Sequence, residues 1–535
     1  MKGILEKHYM TFISGIFFIF ILAVTVLYFL FPLKYRWFVL FLASLVFYLS
    51  WGYETLPVVL ACVILVYAAA RRMETIYSRQ DEQLKNEAMD AQQKKQRKLR
   101  AKKRCRTILS VTALLLIVIL VYSKVGDVML AGISRLTQGG MPRWLKVVVP
   151  LGISYYTFSM LSYLADVYWR KEKAEHNFLK FLLFVLFFPK ILQGPISRHK
   201  TLAPQLNEGH AFDYTQFCFG LQLALWGYFK KLVIADRLSV FVDTVFTNCY
   251  EEKSSLIFVI AAMFGSIQLY CDFSGCMDMA RGICQMLGID LEKNFDHPFF
   301  ARSAAEFWRR WHITLGTWFK DYVYMPLVIS PKLMKLAQKA KKKFGSRAAK
   351  NVMAVIPLAC VWVLTGLWHG TGPNYIAWGI YWGILIICSN IFAPEIKKIT
   401  DFLKIDTKAR SWHIFQMART FLLFSFGRLL TMPGHLRTTW DILKKIAQKF
   451  DVWILFDQSL YNYGLNQKNF NLAMTGIFVL WCVSMLQEKG SVREMIARNN
   501  VVIRWGIYLI AFFSVIVFGM WGAGYSNTGF TYMNY

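Results

Sequence analysis

Long apolar runs separated by short polar turns follow one another along almost the whole chain. A helix needs about 20 predominantly apolar residues to cross a ~30 Å hydrocarbon core, and the runs reach or approach that length. The pattern predicts an all-α polytopic membrane protein with about eleven to thirteen spans. The runs cover residues 9–32, 37–50, 56–70, 108–122, 145–168, 178–190, 217–238, 256–270, 352–368, 375–391, 415–430, 470–485 and 502–521.

Two strongly basic segments interrupt this pattern. Residues 71–106 are polar, contain no Pro or Gly and are expected to be helical, and residues 331–350 contain eight Lys or Arg and no acidic residue. Cytoplasmic loops carry an excess of Lys and Arg, so we expect both segments in the cytoplasm. The expected location of the protein is the plasma membrane. Because three runs precede the first segment, the N-terminus is predicted outside. The Lys and Arg side chains of residues 71–106 are expected to contact anionic lipid, with binding of a soluble partner or cofactor as the alternative.

The composition agrees with a membrane location and argues against nucleic-acid-binding, disulfide-bonded and metal-binding proteins. Of the 535 residues, 56% are hydrophobic and 18% are charged, and the net charge is +30. The cations lie between apolar runs, so we expect no nucleic-acid partner. The ten cysteines form no disulfide or zinc pattern, and Cys271, Cys276 and Cys284 have no histidine placed to complete a metal site, so we expect no metal.

Three stretches between residues 187 and 383 carry more polar and helix-breaking residues than lipid-facing helices tolerate. In the first, residues 187–206, Pro189 and the pair Gly194-Pro195 predict a bent or re-entrant segment, with a plain surface loop as the alternative. Its polar residues are Lys190, Gln193, Arg198 and His199.

The second stretch, residues 268–327, places carboxylates and an arginine inside an apolar helix. We expect Asp272 and Asp278 to pair with Arg281 there. Residues 306–312, with the sequence EFWRRWH, predict an amphipathic helix with an aromatic face, at the membrane interface or on a cavity wall.

The third stretch, residues 364–383, contains His369 at the end of an apolar run. Gly366, Gly372 and Pro373 are expected to loosen the backbone around it. Histidine titrates near neutral pH and can take a proton from a hydroxyl, which favours a catalytic base. A structural histidine that satisfies a buried polar group is the alternative.

The three stretches together resemble the membrane-bound O-acyltransferase family, within it the bacterial branch that serves alginate O-acetylation and teichoic acid D-alanylation. The resemblance is carried by QGPISRH at 193–199, YCDFSGCMDMARG at 270–282, residues 294–327 and GLWHG at 366–370. It implies a ring of tilted transmembrane helices around a central funnel. Residues 1–390 would form the catalytic core, including the basic segment 71–106, and residues 391–535 would form accessory helices.

The resemblance also implies roles for individual residues. His369 would be the general base, and His312 would position the acyl donor or acceptor. The donor would be acetyl-CoA or a carrier-protein thioester, with no tightly bound cofactor. Partners would be membrane lipids, a polysaccharide acceptor, an extracytoplasmic acetyltransferase resembling the SGNH hydrolases, and an acyl carrier protein. Weaker substrate-binding candidates are Arg198, Gln193, Asp321, Trp368 and Asp272.

Other functions stay open. The length of the chain after residue 391 and the aromatic tail 528–535 resemble the alginate-type branch. Two features typical of that branch are missing here. No glycine-rich turn follows Pro326, and residues 382–383 are Trp-Gly where relatives often have a second His-Gly. D-alanyl or other acyl transfer to teichoic acid is one alternative. A transporter that uses the buried Asp, Arg and His residues is another, although the chain shows no internal repeat. A non-catalytic assembly scaffold is a third.

Overall fold

The structure is a computed structural model and describes residues 10–85, 89–137, 149–251, 254–448 and 451–521. The tail 528–535 lies outside the described residues. In chain order the helices are α1 Gly15–Leu30, α2 Arg36–Leu49, α3 Leu56–Leu84, α4 Ala91–Thr137, α5 Ile153–Tyr168, α6 Phe178–Leu186, α7 Phe188–Ile191, α8 His199–Glu208, α9 Tyr214–Tyr228, α10 Asp236–Thr247, α11 Leu256–Met286, α12 Ala304–Arg310, α13 Ile313–Phe319, α14 Met325–Val328, α15 Pro331–His369, α16 Pro373–Ile391, α17 Ala393–Phe402, α18 Arg410–Leu429, α19 Leu436–Gln448, α20 Gln467–Gln487, α21 Val492–Ala497 and α22 Val501–Phe518.

Shorter elements join these helices. Two π-helical turns, Phe229–Ala235 and Lys320–Tyr324, continue α9 and α13. An isolated antiparallel bridge joins Phe295 to Trp311. The 3-10 turns are Leu33–Tyr35, Tyr53–Thr55, Pro298–Phe300, Val452–Leu455 and Ser459–Asn462.

Eight helical stretches among the described residues are long and apolar enough to cross a membrane. They confirm an all-α, multi-pass membrane protein; the count of eleven to thirteen spans stays a prediction. The eight stretches are Tyr53–Leu84, Ala91–Gly126, Tyr214–Thr247, Leu256–Met286, Pro331–His369, Pro373–Ile391, Gln467–Gln487 and Val501–Phe518.

The basic segment 71–106 is helical where the structure describes it, as expected. Helix α3 runs on through it to Leu84, and α4 begins at Ala91. The second basic segment forms the first half of α15, which is kinked at Gly345, a glycine with a positive φ of 85°. A glycine tolerates this backbone conformation because it has no Cβ.

The chain divides into two compact units, Met1–Leu221 with Ala280–Glu292, and Gln222–Met279 with Lys293–Tyr535. In the first unit, α2 packs against α6, and α3 packs against α4 and α5. The stretch after α6 is broken as the prolines predict: α6 ends at Leu186, α7 is a single turn, and α8 begins at His199. This stretch is buried, so the surface-loop alternative for residues 187–198 is wrong.

The second unit is centred on the close hairpin of α15 and α16. A Cβ on Gly366 would lie 2.6 Å from the carbonyl oxygen of Tyr375, and a Cβ on Gly379 would lie 2.5 Å from that of Trp362. Gly366 is therefore a contact point inside a continuous helix, and the expectation that it loosens the backbone is wrong. The two glycines let the helices approach closely enough to bring the end of α15 beside α16.

An aromatic cluster fills the core next to this hairpin. The ring of Phe307 lies 4.5 Å from that of Phe424 and stacks on Trp382 at 6.2 Å. Trp308 meets Trp362 and Trp382 edge-on, at 5.0 and 5.1 Å between ring centres. Large rigid rings packed in this way fix the position of the short helix α12 between α16 and α18.

Candidate functional site

His369 is the last residue of α15, and the extended Gly370 ends the helix directly after it. Its imidazole is 9% exposed and lies edge-on to two indoles, 4.8 Å from Trp368 and 4.9 Å from Trp378. Trp378 precedes Gly379 on α16, so the close approach of the two helices sets this contact. The backbone carbonyls at a helix C-terminus favour a cation nearby, which suits an imidazole that takes up a proton.

His312 is held in a different way. The helix predicted over 306–312 ends at Arg310, because Trp311 pairs with Phe295 and His312 adopts a left-handed backbone with φ of 46°. That backbone turns the His312 side chain into the core, where it is 2% exposed. Its Nδ1 lies 3.3 Å from the Asn294 side-chain oxygen.

The Asn294 oxygen also assigns the tautomer of His312. It accepts hydrogen bonds from the backbone N–H of Thr314 at 3.0 Å and from the Thr314 hydroxyl at 2.9 Å. An amide oxygen only accepts, so the His312 Nδ1 carries the hydrogen and Nε2 carries the lone pair. Burial lowers the pKa of His312 to about 3, so the ring is neutral at physiological pH.

Trp368 lies next to both histidines. The centre of its indole lies 4.8 Å from that of the His369 ring and 5.8 Å from that of the His312 ring, edge-on to both. The sequence predicted all three as site residues, and the second unit gathers them. The ring of Phe273, 4.9 Å from His312, encloses that histidine further.

A small cleft opens beside His369. The cleft has a volume of about 30 Å³, room for little more than a water molecule. Residues from three parts of the chain line the cleft, and they lie on both sides of residue 390. The domain boundary predicted at residue 390 stays a prediction. The lining includes Trp308, His369, Tyr375, Trp378, Phe424 and Arg428.

Sequence reasoning missed Arg428, and a signal for it existed. This arginine lies in the run 415–430, which was treated as an ordinary apolar span. A cation inside an apolar segment marks a functional position by default. Asn294 was not predicted as a site residue, and nothing in its local sequence indicates that it orients His312.

Asp272 lies in a buried cluster of charged residues. The prediction that it pairs with Arg281 is wrong. Arg281 donates to the backbone carbonyl of Leu291 at 3.1 Å. Lys231 lies 2.6 Å from Asp272 and 2.8 Å from Asp236, and Lys230 lies 2.7 Å from Asp278. The sequence analysis did not predict these lysines as partners, and neighbours on a regular α-helix point about 100° apart. The wider π-helical turn directs both toward α11.

The remaining candidates lie elsewhere. Asp321 is half-buried in the second π-helical turn and is not among the described residues that line the cleft. Gln193 and Arg198 belong to the first unit, where Gln193 is fully buried. Their roles as substrate-binding residues stay predictions.

The first unit has a polar cluster of its own around the broken stretch. Ser197 donates to one carboxylate oxygen of Glu292 at 2.5 Å, and the His199 Nδ1 contacts Glu172. The Lys190 ammonium lies over the ring of Phe184, 3.7 Å from its centre.

These features define a multi-pass helical membrane protein in which two histidines share one tryptophan in a buried aromatic site. The chain belongs to the membrane-bound O-acyltransferase family, whose model matches residues 45–340. The match includes His312 and ends before His369. The resemblance found in the sequence motifs is confirmed.

Three relatives illustrate the range of the family around this chain. A probable alginate O-acetylase of Pseudomonas aeruginosa is 31% identical over 348 residues, 64% of this chain and 59% of that protein. A peptidoglycan O-acetyltransferase of Helicobacter pylori is 30% identical over 464 residues, 81% of this chain and 78% of that protein. A teichoic acid D-alanyltransferase of Bacillus subtilis is 31% identical over 253 residues, 46% of this chain and 60% of that protein. The chain spans less than two thirds of the Pseudomonas and Bacillus proteins.

Proposed function

We propose that this protein is an O-acyltransferase that moves an acetyl group from a cytoplasmic thioester to hydroxyls of an extracytoplasmic polysaccharide. The observation that carries the proposal is the placement of His369 at the end of α15, on a cleft, with the indole of Trp368 beside both His369 and His312. Membership of the O-acyltransferase family supports the same chemistry.

In the proposed reaction His369 is the general base. Its imidazole takes the proton of the acceptor hydroxyl while that oxygen attacks the acyl carbon of the thioester. The carbon–sulfur bond then breaks, the new carbon–oxygen bond remains, and the proton passes from His369 to the departing thiolate. The indoles of Trp368 and Trp378 exclude water, which would otherwise hydrolyse the thioester.

His312 has a positioning role in this scheme. Because its Nδ1–H is directed at Asn294 and the ring is neutral, it offers a lone pair on Nε2 rather than a charge. A neutral imidazole of this kind accepts a hydrogen bond from a hydroxyl or amide of the donor or acceptor. The low pKa makes His312 a poor proton acceptor, which leaves the proton transfer to His369.

We favour acetyl transfer over D-alanyl transfer because the acetyltransferase relative aligns with a larger share of this chain. The alignment with the peptidoglycan O-acetyltransferase covers 81% of this chain, and that with the D-alanyltransferase covers 46%. We infer acetyl-CoA as the donor, with a carrier-protein thioester as the alternative, and no tightly bound cofactor. An extracytoplasmic acetyltransferase resembling the SGNH hydrolases would complete the transfer to the glycan.

The test measures acetyl ester content of the cell-surface polysaccharide in cells that carry wild type, His369→Ala or His312→Ala. His435→Ala is the matched control, because His435 is an exposed histidine just beyond α18. We expect His369→Ala to abolish acetylation at normal membrane abundance, His312→Ala to reduce it strongly, and His435→Ala to leave it unchanged. Wild-type acetylation in the His369→Ala strain would refute the proposal. D-alanyl esters in place of acetyl esters would identify the alternative acyl group.

A further inference from the structure

Helices α15 and α16 are in close contact near His369, but they leave a groove between them toward their other end. The groove has a volume of about 450 Å³, within the range of about 300–1,000 Å³ that is usual for ligand pockets. Its lining residues recur at helical spacing, so each helix presents one face to it. They include Lys350, Asn351, Val355 and Leu358 from α15, and Ile387 and Asn390 from α16.

Arg347 closes the end of the groove that lies farthest from His369. Its Nη2 donates to the backbone carbonyl of Ile391 at 3.1 Å and to the carboxylate of Glu395 at 2.6 Å. Glu395 therefore balances the charge of Arg347. The other cation in the lining is Lys350, one helical turn further along α15, and it forms no ion pair with any residue that the structure describes. No carboxylate is among the described residues that line the groove.

Two amide side chains also line the groove. Asn351 follows Lys350 on α15, and Asn390 lies in the last turn of α16. Neither side chain forms a hydrogen bond within the described part of the chain. An amide offers both a donor and an acceptor, so this part of the groove can bind the oxygen atoms of a polar ligand.

The groove becomes apolar in the direction of His369. Val355 and Leu358 lie about 7.5 and 12 Å along the helix from Lys350, and Ile387 adds to the apolar wall from α16. Lys350 is the last residue of the basic segment 331–350, whereas the three apolar residues belong to runs of membrane-spanning character. The polar-to-apolar change in the groove therefore coincides with the boundary at which lipid headgroups meet acyl chains.

We propose that this groove binds one anionic phospholipid of the cytoplasmic leaflet. The Lys350 ammonium binds the lipid phosphate, and the amides of Asn351 and Asn390 bind oxygen atoms of the headgroup and the glycerol. One acyl chain lies along the apolar wall, and the second remains in the surrounding bilayer. The inference goes beyond the proposed acyl transfer and does not depend on it.

Charge complementarity and the two-part lining favour this occupant. Basic pockets between transmembrane helices on the cytoplasmic side are suited to anionic lipid headgroups, and residues 331–350 are expected on that side. A phospholipid matches both the cationic and the apolar part of the groove. A soluble phosphate compound matches only the cationic part.

The test measures lipid binding to the purified full-length protein in detergent by native mass spectrometry. The probes are phosphatidylglycerol, which is anionic, phosphatidylcholine, which is zwitterionic, and glycerol phosphate, which has the charge without acyl chains. The readout is the concentration at which half of the protein carries its first lipid. Lys350→Gln is compared with Lys341→Gln, a matched control because Lys341 is an exposed residue of the same basic segment and does not line the groove.

We expect the wild type to bind phosphatidylglycerol more tightly than phosphatidylcholine. Lys350→Gln should raise the half-saturating concentration of phosphatidylglycerol about fivefold, the factor that one basic residue contributes near an anionic lipid, and should leave that of phosphatidylcholine unchanged. Lys341→Gln should match wild type. Equal weakening by the two substitutions would mean that the preference arises from the overall positive charge, which would overturn the inference.

A second pair of variants tests the apolar part of the groove. Ala354 lines the groove, so Ala354→Trp fills the space that the acyl chain needs and should weaken the binding of both lipids at least about tenfold. Ile356→Trp is the control, because Ile356 is exposed on the same helix and does not line the groove. Wild-type lipid binding by Ale354→Trp would show that no chain occupies the groove. Displacement of phosphatidylglycerol by an equal concentration of glycerol phosphate would identify a site for free phosphate and would also overturn the inference.

Discussion

Gly366 gives the most direct test of how the site is assembled, because an alanine there should push α15 away from α16. The added Cβ would lie 2.6 Å from the Tyr375 carbonyl oxygen, whereas ordinary contact begins at 3.4 Å. The helices must therefore separate by about 0.8 Å at this point. Overpacking of this kind costs about 1–3 kcal/mol.

Gly506 on α22 is the matched control for Gly366→Ala. A Cβ at Gly506 meets nothing within 4 Å, so Gly506→Ala gains only the better helix propensity of alanine, about 1 kcal/mol. Both substitutions share this gain, so the difference between their unfolding free energies isolates the contact with α16. We expect that difference to be about 1–3 kcal/mol, measured by thermal unfolding in detergent.

The same displacement should reduce catalysis. His369 follows Gly366 by one helical turn, and its neighbour Trp378 precedes Gly379, so the separation is passed directly to the site. A misplacement near 1 Å costs roughly 10²-fold in rate. We expect Gly366→Ala to lose acetyl transfer on this scale while Gly506→Ala keeps wild-type transfer. If the two variants have equal stability and equal activity, the close helix contact does not position the site.

Three further predictions concern buried polar groups. Lys231→Met leaves the carboxylates of Asp272 and Asp236 without their shared ammonium, which should cost about 3–5 kcal/mol and lower the unfolding temperature; an unchanged temperature would contradict the charge cluster. Asn294→Ala removes the group that orients His312 and should slow acetyl transfer roughly 10²-fold in membrane vesicles, whereas wild-type rates would show that the orientation does not matter. The low pKa of His312, about 3 against its ordinary 6.5, means that only the unfolded chain binds this proton between those values. This contribution to stability is complete above pH 6.5 and is lost as the pH falls toward 3, so His312→Gln should flatten the pH dependence of unfolding in that window.

Features that depend on local sequence were predictable. Apolar runs of membrane length indicated the helices, and Pro189 with Gly194-Pro195 indicated the broken stretch after α6. His312, Trp368 and His369 were predicted as site residues because they stand in motifs of an acyltransferase family. The structure places them together in one unit.

Features that depend on contacts distant in sequence were not predictable. Lys230 is 48 residues from Asp278 and Lys231 is 41 residues from Asp272. The orientation of both lysines depends on a π-helical turn that no local pattern indicates. The presence of Arg428 in the lining of the cleft depends on α18 returning to it. Helix α12 ends one residue before Trp311 because that residue bridges to Phe295, an interaction that helical periodicity cannot indicate.

The length of α15 after its kink has a consequence for the path of the acyl group. From residue 346 to His369 the helix contains about 24 residues and spans about 36 Å, slightly more than the hydrocarbon thickness of a bilayer. The basic half of α15 and His369 therefore stand at opposite ends of a helix of membrane length. With the basic half in the cytoplasm, as its charge predicts, His369 would stand toward the outer leaflet, on the acceptor's side. The thioester would then have to enter the protein to most of the depth of the membrane before His369 could act on it.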